Sequence, residues 1–387
     1  MFRKKFIFTA LALFTASSSP IALAIDQNSP QSSTTSKEQD AEFARSQLQL
    51  LADTSRKSVD LSPAEAARFR AVIDRVGWPS SRRVGPELVQ VTAALLLKYP
   101  DYEFQNSTLD DAEDRLDLDI DAYAFARLSD LIECKHDGKQ RLGTLKKIID
   151  GKVVISPEIK AVSGARFFRD FQGLPSIDEE LTSLQARLER GEKIELTDKL
   201  LWIPRPPTTF KQPELREKLG EMASRDQEAR SHLLGASGQA RKDMIEKINR
   251  IDKENHSELQ KIFHEHGFPN VADVGRAGVS TAFLLVQHAD DDPKLQRLAL
   301  DLAKPLVDTR QMSRQEYALL TDRVLLAEGK LQLYGTQTMM IDGKVTLRKT
   351  EDPEHLDVRR AKMALGPVKE YLALLQKRED SANSKKH

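Results

Sequence analysis

A single cysteine, Cys134, stands in 387 residues, so no disulfide can close within the chain and thiolate metal clusters are excluded. No run of 18 or more apolar residues occurs, which excludes a polytopic membrane protein. Neither sign of charge is in excess: 59 Lys and Arg balance 59 Asp and Glu, unlike the basic surplus of a dedicated nucleic-acid binder. Aromatic residues are few, at 6%, yet 40% apolar residues over this length are enough for two ordinary cores. The glycine-rich phosphate loop, the Gly-x-Ser-x-Gly elbow and His-Glu-x-x-His are all missing, so no cofactor is expected. His264 and His266, two residues apart, diverge on a helix, and with His256 they lack a carboxylate at a zinc spacing, so no metal is expected either.

The chain opens with an export pattern. Arg3, Lys4 and Lys5 precede an apolar run from Phe6 to Ala16, and Ala22-Leu23-Ala24 supplies the small residues that signal peptidase accepts. That run is too short to cross the ~30 Å hydrocarbon core. These features predict a signal peptide over residues 1–24, cut after Ala24, and a periplasmic or secreted protein without stable membrane insertion. The polar stretch 25–40 reads as a disordered leader and 378–387 as a disordered tail.

What the sequence does contain is an internal echo. Gly77-Trp78-Pro79 recurs as Gly267-Phe268-Pro269, and Val84-Gly85 as Val274-Gly275, both offset by 190. At an offset of 192, Phe125-Ala126-Arg127-Leu128-Ser129-Asp130 faces Tyr317-Ala318-Leu319-Leu320-Thr321-Asp322. Gln140, Gly143-Thr144, Asp150-Gly151-Lys152-Val153 and Pro175 face Gln332, Gly335-Thr336, Asp342-Gly343-Lys344-Val345 and Pro367 at the same offset. Two such close offsets over some ninety positions imply a tandem duplication with a small indel. The copies are expected at 41–200 and 215–377, joined by a Pro-rich linker at 201–214 that contains Trp202 to Thr208.

Each copy reads as a mainly α domain with one small β-hairpin, an α+β class. Apolar residues at helical spacing run from Leu215 to Phe263, broken at Gly235 to Gly238 and closed by Pro269. Arg276 to Ala289 is nearly all apolar and predicts a central helix. Asp291-Asp292-Pro293 starts the next helix, and Ser313 to Glu316 is a capping box for one reaching about Ala327. Leu331 to Leu347 predicts a hairpin around Asp342-Gly343, with Gln332, Tyr334 and Thr336 on one face by period-two alternation.

The differences between the copies point to a site. Gln287 faces Leu97, Arg323 faces Leu131, Tyr334 faces Leu142, and Gln337 faces Leu145. Arg359 and Arg360 face Phe167 and Phe168, while His288 and Asp290 face Lys98 and Pro100. A position that takes Leu or Phe in one copy lies away from water there. Polar groups at such positions need partners, supplied by one another or by a ligand. The second copy is therefore expected to keep a polar pocket that the first has filled. His288 would be its acid–base, oriented by Asp290 or Asp322, and Arg323 with Arg359 or Arg360 would neutralise an anion. Tyr334, Gln287, Gln332 and Gln337 would position the ligand, and Asp226 and Arg230, one helical turn apart, would pair across the pocket or with each other. Asp322, matched by Asp130 in the first copy, reads as mainly structural.

The second copy also resembles a bacterial domain-of-unknown-function family, six-six-two-four. The matching stretches are Asp226 to Arg230, Gly267-Phe268-Pro269, Val274-Gly275, Gln287-His288-Ala289-Asp290 and Thr321-Asp322-Arg323, followed by Gln332 to Gln337 and Asp357 to Arg360. They cover about Glu221 to Leu375. The resemblance implies that these polar positions are the family's hallmark, and it implies no activity. The first copy lacks the Gln-His-Ala-Asp and Tyr-Gly-Thr-Gln motifs.

Two functions stay open from sequence alone. One is a pocket for a small anionic or amide-bearing ligand, with hydrolytic or transfer chemistry. The other is a non-catalytic adaptor or inhibitor that binds a cell-envelope protein.

Overall fold

The computed structural model describes residues 34–57, 59–233 and 236–384. The export signal and its cut after Ala24 lie outside the described residues, as does the leader up to residue 33. The protein is mainly helical with two small antiparallel hairpins. Its residues group into two compact units that divide in chain order between Thr209 and Phe210, with Asp170–Gly173 grouped with the second. Among the described residues no helix is long and apolar enough to cross a membrane.

In the first unit, α1 (Thr34–Leu50), α2 (Ala52–Arg56), α3 (Pro63–Val76) and α4 (Ser81–Val84) precede α5 (Pro86–Lys98), which is rich in buried leucines. There follow α6 (Tyr102–Glu113), α7 (Ala122–Asp137), the hairpin β1 (Lys146–Ile149) and β2 (Lys152–Ile155), then α8 (Val162–Phe171) and α9 (Ile177–Glu189). Leu95, Leu96, Phe69, Phe125 and Leu128 are almost fully buried in one core. Helix α1 begins inside the stretch expected to be a disordered leader. The reason is Ala41, Ala44, Leu48 and Leu51, spaced three and four apart and all buried.

The Pro-rich segment after residue 200 packs on the first unit. Trp202 is buried in the first unit's core with its ring 5.8 Å from that of Trp78, and its carbonyl accepts from Gln90 Nε2 at 3.2 Å. An indole carries too much apolar area to be left in water, so it anchors the segment on the unit.

The second unit runs through α10 (Pro213–Ser231), α11 (Gly238–His266), α12 (Val271–Gln287), α13 (Pro293–Asp308) and α14 (Arg314–Ala327). The hairpin β3 (Thr338–Ile341) and β4 (Lys344–Leu347) follows, then α15 (Leu356–Lys362) and α16 (Val368–Ser384). Helix α12 is central, as its apolar run predicts: Val274, Ala282, Phe283, Leu285 and Val286 are buried among α10, α11, α13 and α14 residues. Asn270 caps it by accepting from Ala272 N at 2.9 Å, and Gly275 breaks its first turn at φ 74°, ψ 171°. Gly85, before α5, has a similar conformation at φ 90°, ψ 149°, and only glycine adopts it without strain.

Both hairpins turn on Asp-Gly with both residues at positive φ, the type I′ geometry that matches strand twist. Helix α16 continues through most of the expected disordered tail, to Ser384, with Gln376 Nε2 donating to Asp380 Oδ1 at 3.0 Å and Ser381 Oγ to the Lys377 carbonyl at 2.8 Å.

Candidate functional site

The stretch before β3 overturns the expected strand. Residues 332–337 form a loop folded around Asp322, which is fully buried on α14. Oδ1 accepts from Leu333 N at 2.7 Å and Tyr334 N at 2.9 Å, and Oδ2 accepts from Thr336 N and Oγ1, both at 2.8 Å. Backbone donors that converge on one carboxylate cannot also alternate along a ladder, so Gln332, Tyr334 and Thr336 do not share a strand face. Gln332 closes the loop from behind: Oε1 accepts from Gln337 N at 2.9 Å, while Nε2 donates to the Gln337 and Arg348 carbonyls at 3.0 Å.

The two arginines expected near a ligand also hold backbone. Arg360, 2% exposed, donates through Nη1 to the Tyr334 carbonyl at 2.8 Å and through Nε to the Gly366 carbonyl at 2.7 Å. Arg359 Nε donates to the Leu333 carbonyl at 2.8 Å and Nη2 to the Asp352 carbonyl at 2.9 Å.

The same bonds occur in the first unit. Asp130 accepts from Arg141 N, Leu142 N, Thr144 N and Thr144 Oγ1 at 2.5–2.7 Å, and Gln140 Oε1 accepts from Leu145 N at 2.6 Å. Arg169 donates to the carbonyls of Leu142 and Pro175, as Arg360 does to those of Tyr334 and Gly366. The counterpart of Arg360 is thus Arg169, not Phe168, and Pro175 corresponds to Gly366. The physical reason is one residue fewer after the second hairpin: Gln140 bridges to Ile159, nineteen residues on, and Gln332 to Thr350, eighteen on. Asp322, Gln332 and Arg360 are architecture common to both units.

A different group gathers at the end of α12. His288 follows its last residue and turns Nδ1 toward Asp226 of α10, 2.9 Å from Oδ2. Asp226, 1% exposed, also accepts from Gln227 Nε2 at 2.7 Å and pairs with Arg230 Nη2 at 3.0 Å. Arg230 Nη2 reaches Asp252 of α11 at 2.6 Å, and Arg230 Nε stands 3.1 Å from His288 Nδ1. One nitrogen cannot donate to Asp226 and accept from Arg230 together. The ionised, multiply bonded Asp226 is the stronger partner, which places the proton on Nδ1 and leaves Nε2 with its lone pair. Nε2 has no hydrogen-bond partner and is not sealed from solvent.

Burial drives the His288 pKa down, more than the Asp226 contact lifts it, and Arg230 and Arg323 push the same way as burial. The imidazole is therefore neutral near pH 7. Burial alone would raise Asp226, but its hydrogen bond from His288 and the charge of Arg230 hold it low. Asp252 is pushed up to about 7 by burial, against the pull of Arg230 and with the repulsion of Asp226 and Asp291. Of the two carboxylates around this guanidinium, Asp252 is thus the one that holds a proton more readily, while Asp226 stays ionised.

Asp290, expected to orient His288, does not. Its carboxylate is 52% exposed and pairs with Arg323 Nη1. Asp226 takes the orienting role, and Asp252 is a member of the cluster that the sequence comparison passed over. Its signal was available: it falls within the helical pattern of α11, a carboxylate next to the apolar Ile251. Gln287 is buried as expected, with Nε2 unpartnered, and so are both amide atoms of Asn255 and Nε2 of His256. Tyr334 and Gln337 are half-buried, and neither brings its side chain to His288 by a hydrogen bond. Two concavities of about 590 and 530 Å³ lie elsewhere in this unit, one beside Asp342, Leu372 and Gln376, the other beside Lys211, Lys218 and Glu258. Among the described residues, no three His, Cys, Asp or Glu side chains are grouped to hold a metal ion.

Polar substitution also runs the other way. In the first unit Glu180 Oε1 accepts from Tyr123 Oη and Lys146 Nζ, both at 2.8 Å, and Glu180 pairs with Arg169. Arg127, 3% exposed, donates to the Thr144 carbonyl at 2.9 Å and leaves Nη2 buried without a partner. The residues that face Arg127 and Lys146 in the second unit are Leu319 and Thr338. The first unit therefore carries a buried polar network of its own and is not simply a leucine-filled version of the second.

Residues 213–383 match the model of a family of unknown function, DUF6624. The match begins at the start of α10 and takes in Asp226, Arg230, Asp252, His288, Asp290 and Arg323, in agreement with the resemblance read from the motifs. No curated protein and no solved structure matches the chain.

Proposed function

We propose that the DUF6624 segment binds a small anionic or amide-bearing ligand beside His288, with His288 as the acid–base of a hydrolytic or transfer reaction. The observation that carries this reading is a histidine fixed through Nδ1 by a buried carboxylate while Nε2 stays open. In hydrolysis Nε2 would take a proton from water as its oxygen attacks the scissile carbon or phosphorus. Asp226 would stabilise the imidazolium, which returns the proton to the leaving group. Buried amides without partners, Gln287 and Asn255, supply further donors and acceptors on α12 and α11. The first unit has nothing comparable there: Lys98, at the position of His288, is engaged with the carbonyls of Thr54, Ser55 and Lys57 at 2.5–2.9 Å.

We infer also that the units arose by tandem duplication and that the chain is exported to the periplasm or secreted. The recurring Asp-centred loops support the former and the N-terminal residue pattern the latter. Non-catalytic binding to an envelope protein is the second reading. It is favoured by the exposed Met339, Met340 and Ile341 on β3 and by the use of Arg359 and Arg360 as loop braces.

The test is thermal unfolding of the full chain against a panel of carboxylates, phosphates and amides, including cell-wall fragments. A ligand at a hundred times its Kd adds about 2.7 kcal/mol to the wild type. It should add little to His288→Gln or Arg323→Leu. Equal shifts in all three proteins, or none across the panel, would remove the ligand reading and send the search to protein partners.

A further inference from the structure

The ion pair beside His288 is lopsided. Arg323, on α14, is 16% exposed, whereas Asp290 is 52% exposed. Asp290 meets Nη1 of Arg323, and its other side-chain contact is a long 3.4 Å bond from Gln296 Nε2. Nε of Arg323 is buried and has no partner. A guanidinium normally presents two N–H groups of one edge, Nε with Nη2 or Nη1 with Nη2, to one oxyanion, and here a single carboxylate oxygen takes Nη1 alone. His288 feels the positive charge of Arg323, and Arg348 feels both Arg323 and Asp290. One half-exposed carboxylate therefore answers the charges of two arginines. The first unit has Leu131 and Pro100 in place of Arg323 and Asp290, so the pair belongs to the DUF6624 segment alone.

Resting on the reading above, we propose that Asp290 is an internal stand-in for the ligand's oxyanion, holding Arg323 until an external carboxylate or phosphate displaces it. Exchange is easy because a half-exposed ion pair is only weakly held. The incoming group can span both terminal nitrogens of Arg323, of which Asp290 holds only Nη1, and it arrives where the Arg323 charge already acts on His288. Asp290 would thus screen out neutral compounds and set a threshold for anions rather than take part in chemistry.

The full-length protein is titrated with inorganic phosphate and, separately, with acetate, read by calorimetry and by the imidazole NMR signals of His288. Asp290→Asn and Asp290→Ser should bind the better of the two anions about fivefold more tightly than wild type. Arg323→Leu should lose that binding, and circular dichroism confirms that each variant is folded. If neither Asp290 variant binds more tightly while Arg323→Leu still abolishes binding, the stand-in role is overturned and the anion site survives. If neither anion moves His288 in any variant, both fall.

Discussion

Replacing Asp322 by asparagine tests the strongest structural claim, that one buried carboxylate organises the loop before β3. The side chain is isosteric, so packing is unchanged and the hydrogen bonds alone are perturbed. An asparagine oxygen can keep the two donors on Oδ1, Leu333 N and Tyr334 N. Its NH2 must then face Thr336 N, donor against donor, while Thr336 Oγ1 can turn and accept. One buried backbone N–H left unpaired costs about 1–3 kcal/mol, and the remaining bonds lose their charge assistance. The sum is a loss of about 3–4 kcal/mol.

Urea unfolding followed by far-ultraviolet circular dichroism measures that loss, and hydrogen exchange locates it at the amides of Leu333, Tyr334 and Thr336. Asp130→Asn is the matched experiment in the first unit. There the chain's two tryptophans, Trp78 and Trp202, both buried in that core, report unfolding by fluorescence. A loss below about 1 kcal/mol, or unchanged exchange at those three amides, would refute the claim.

Four further outcomes follow from the buried polar groups. Glu316 is fully buried against Ser280 Oγ, and burial pushes it up to about 7 from an ordinary 4.5, so the folded state holds its proton more tightly than the unfolded chain does. Stability should therefore fall as pH rises between those values, by about 3 kcal/mol from this group. Glu316→Gln should match wild type near pH 4 and exceed it at pH 8, whereas identical pH profiles in urea titrations would contradict this.

The NMR titration of His288 should give a pKa below that of a free histidine, and Asp226→Asn should lower it further. A depressed pKa makes acidification below 6.5 destabilising until His288 protonates in the folded protein, so the variant should go on losing stability to lower pH than wild type does. An unchanged or raised pKa in Asp226→Asn would mean that the carboxylate does not engage Nδ1. Arg360→Leu should cost about 3 kcal/mol, since it strips buried carbonyls of their donor, while Gln287→Leu should be neutral or stabilising, because its Nε2 is buried without a partner. A loss of 2 kcal/mol for Gln287→Leu, measured by urea unfolding, would point to a hidden partner in the ligand-free protein.

The sequence by itself determined most of the fold's elements, because they rest on local chemistry. Asn270, Asp292 and Ser313 cap helices from a few residues away, Asp342-Gly343 supplies the positive φ of a type I′ turn, and the apolar run after Arg276 can only be central. It also pointed to His288 and Arg323, since a charged or polar residue opposite a leucine requires an explanation. Tertiary structure decided what each polar residue is for. Arg360 and Gln332 read like Arg323 and Gln287 in a string of letters, yet the first two brace a loop and Arg323 faces solvent through an exposed counter-ion. That difference depends on which carbonyls and carboxylates lie within about 3 Å, and those come from loops five to thirty-three residues away. Asp226, sixty-two residues before His288, became its partner only when α10 and α12 packed together. The capping glutamate expected to fold back on Ser313 instead points inward at Ser280, because the buried hydroxyl competes for it. Local rules set the elements, whereas the pairing of buried charges is a property of packed surfaces, where desolvation makes every partner count.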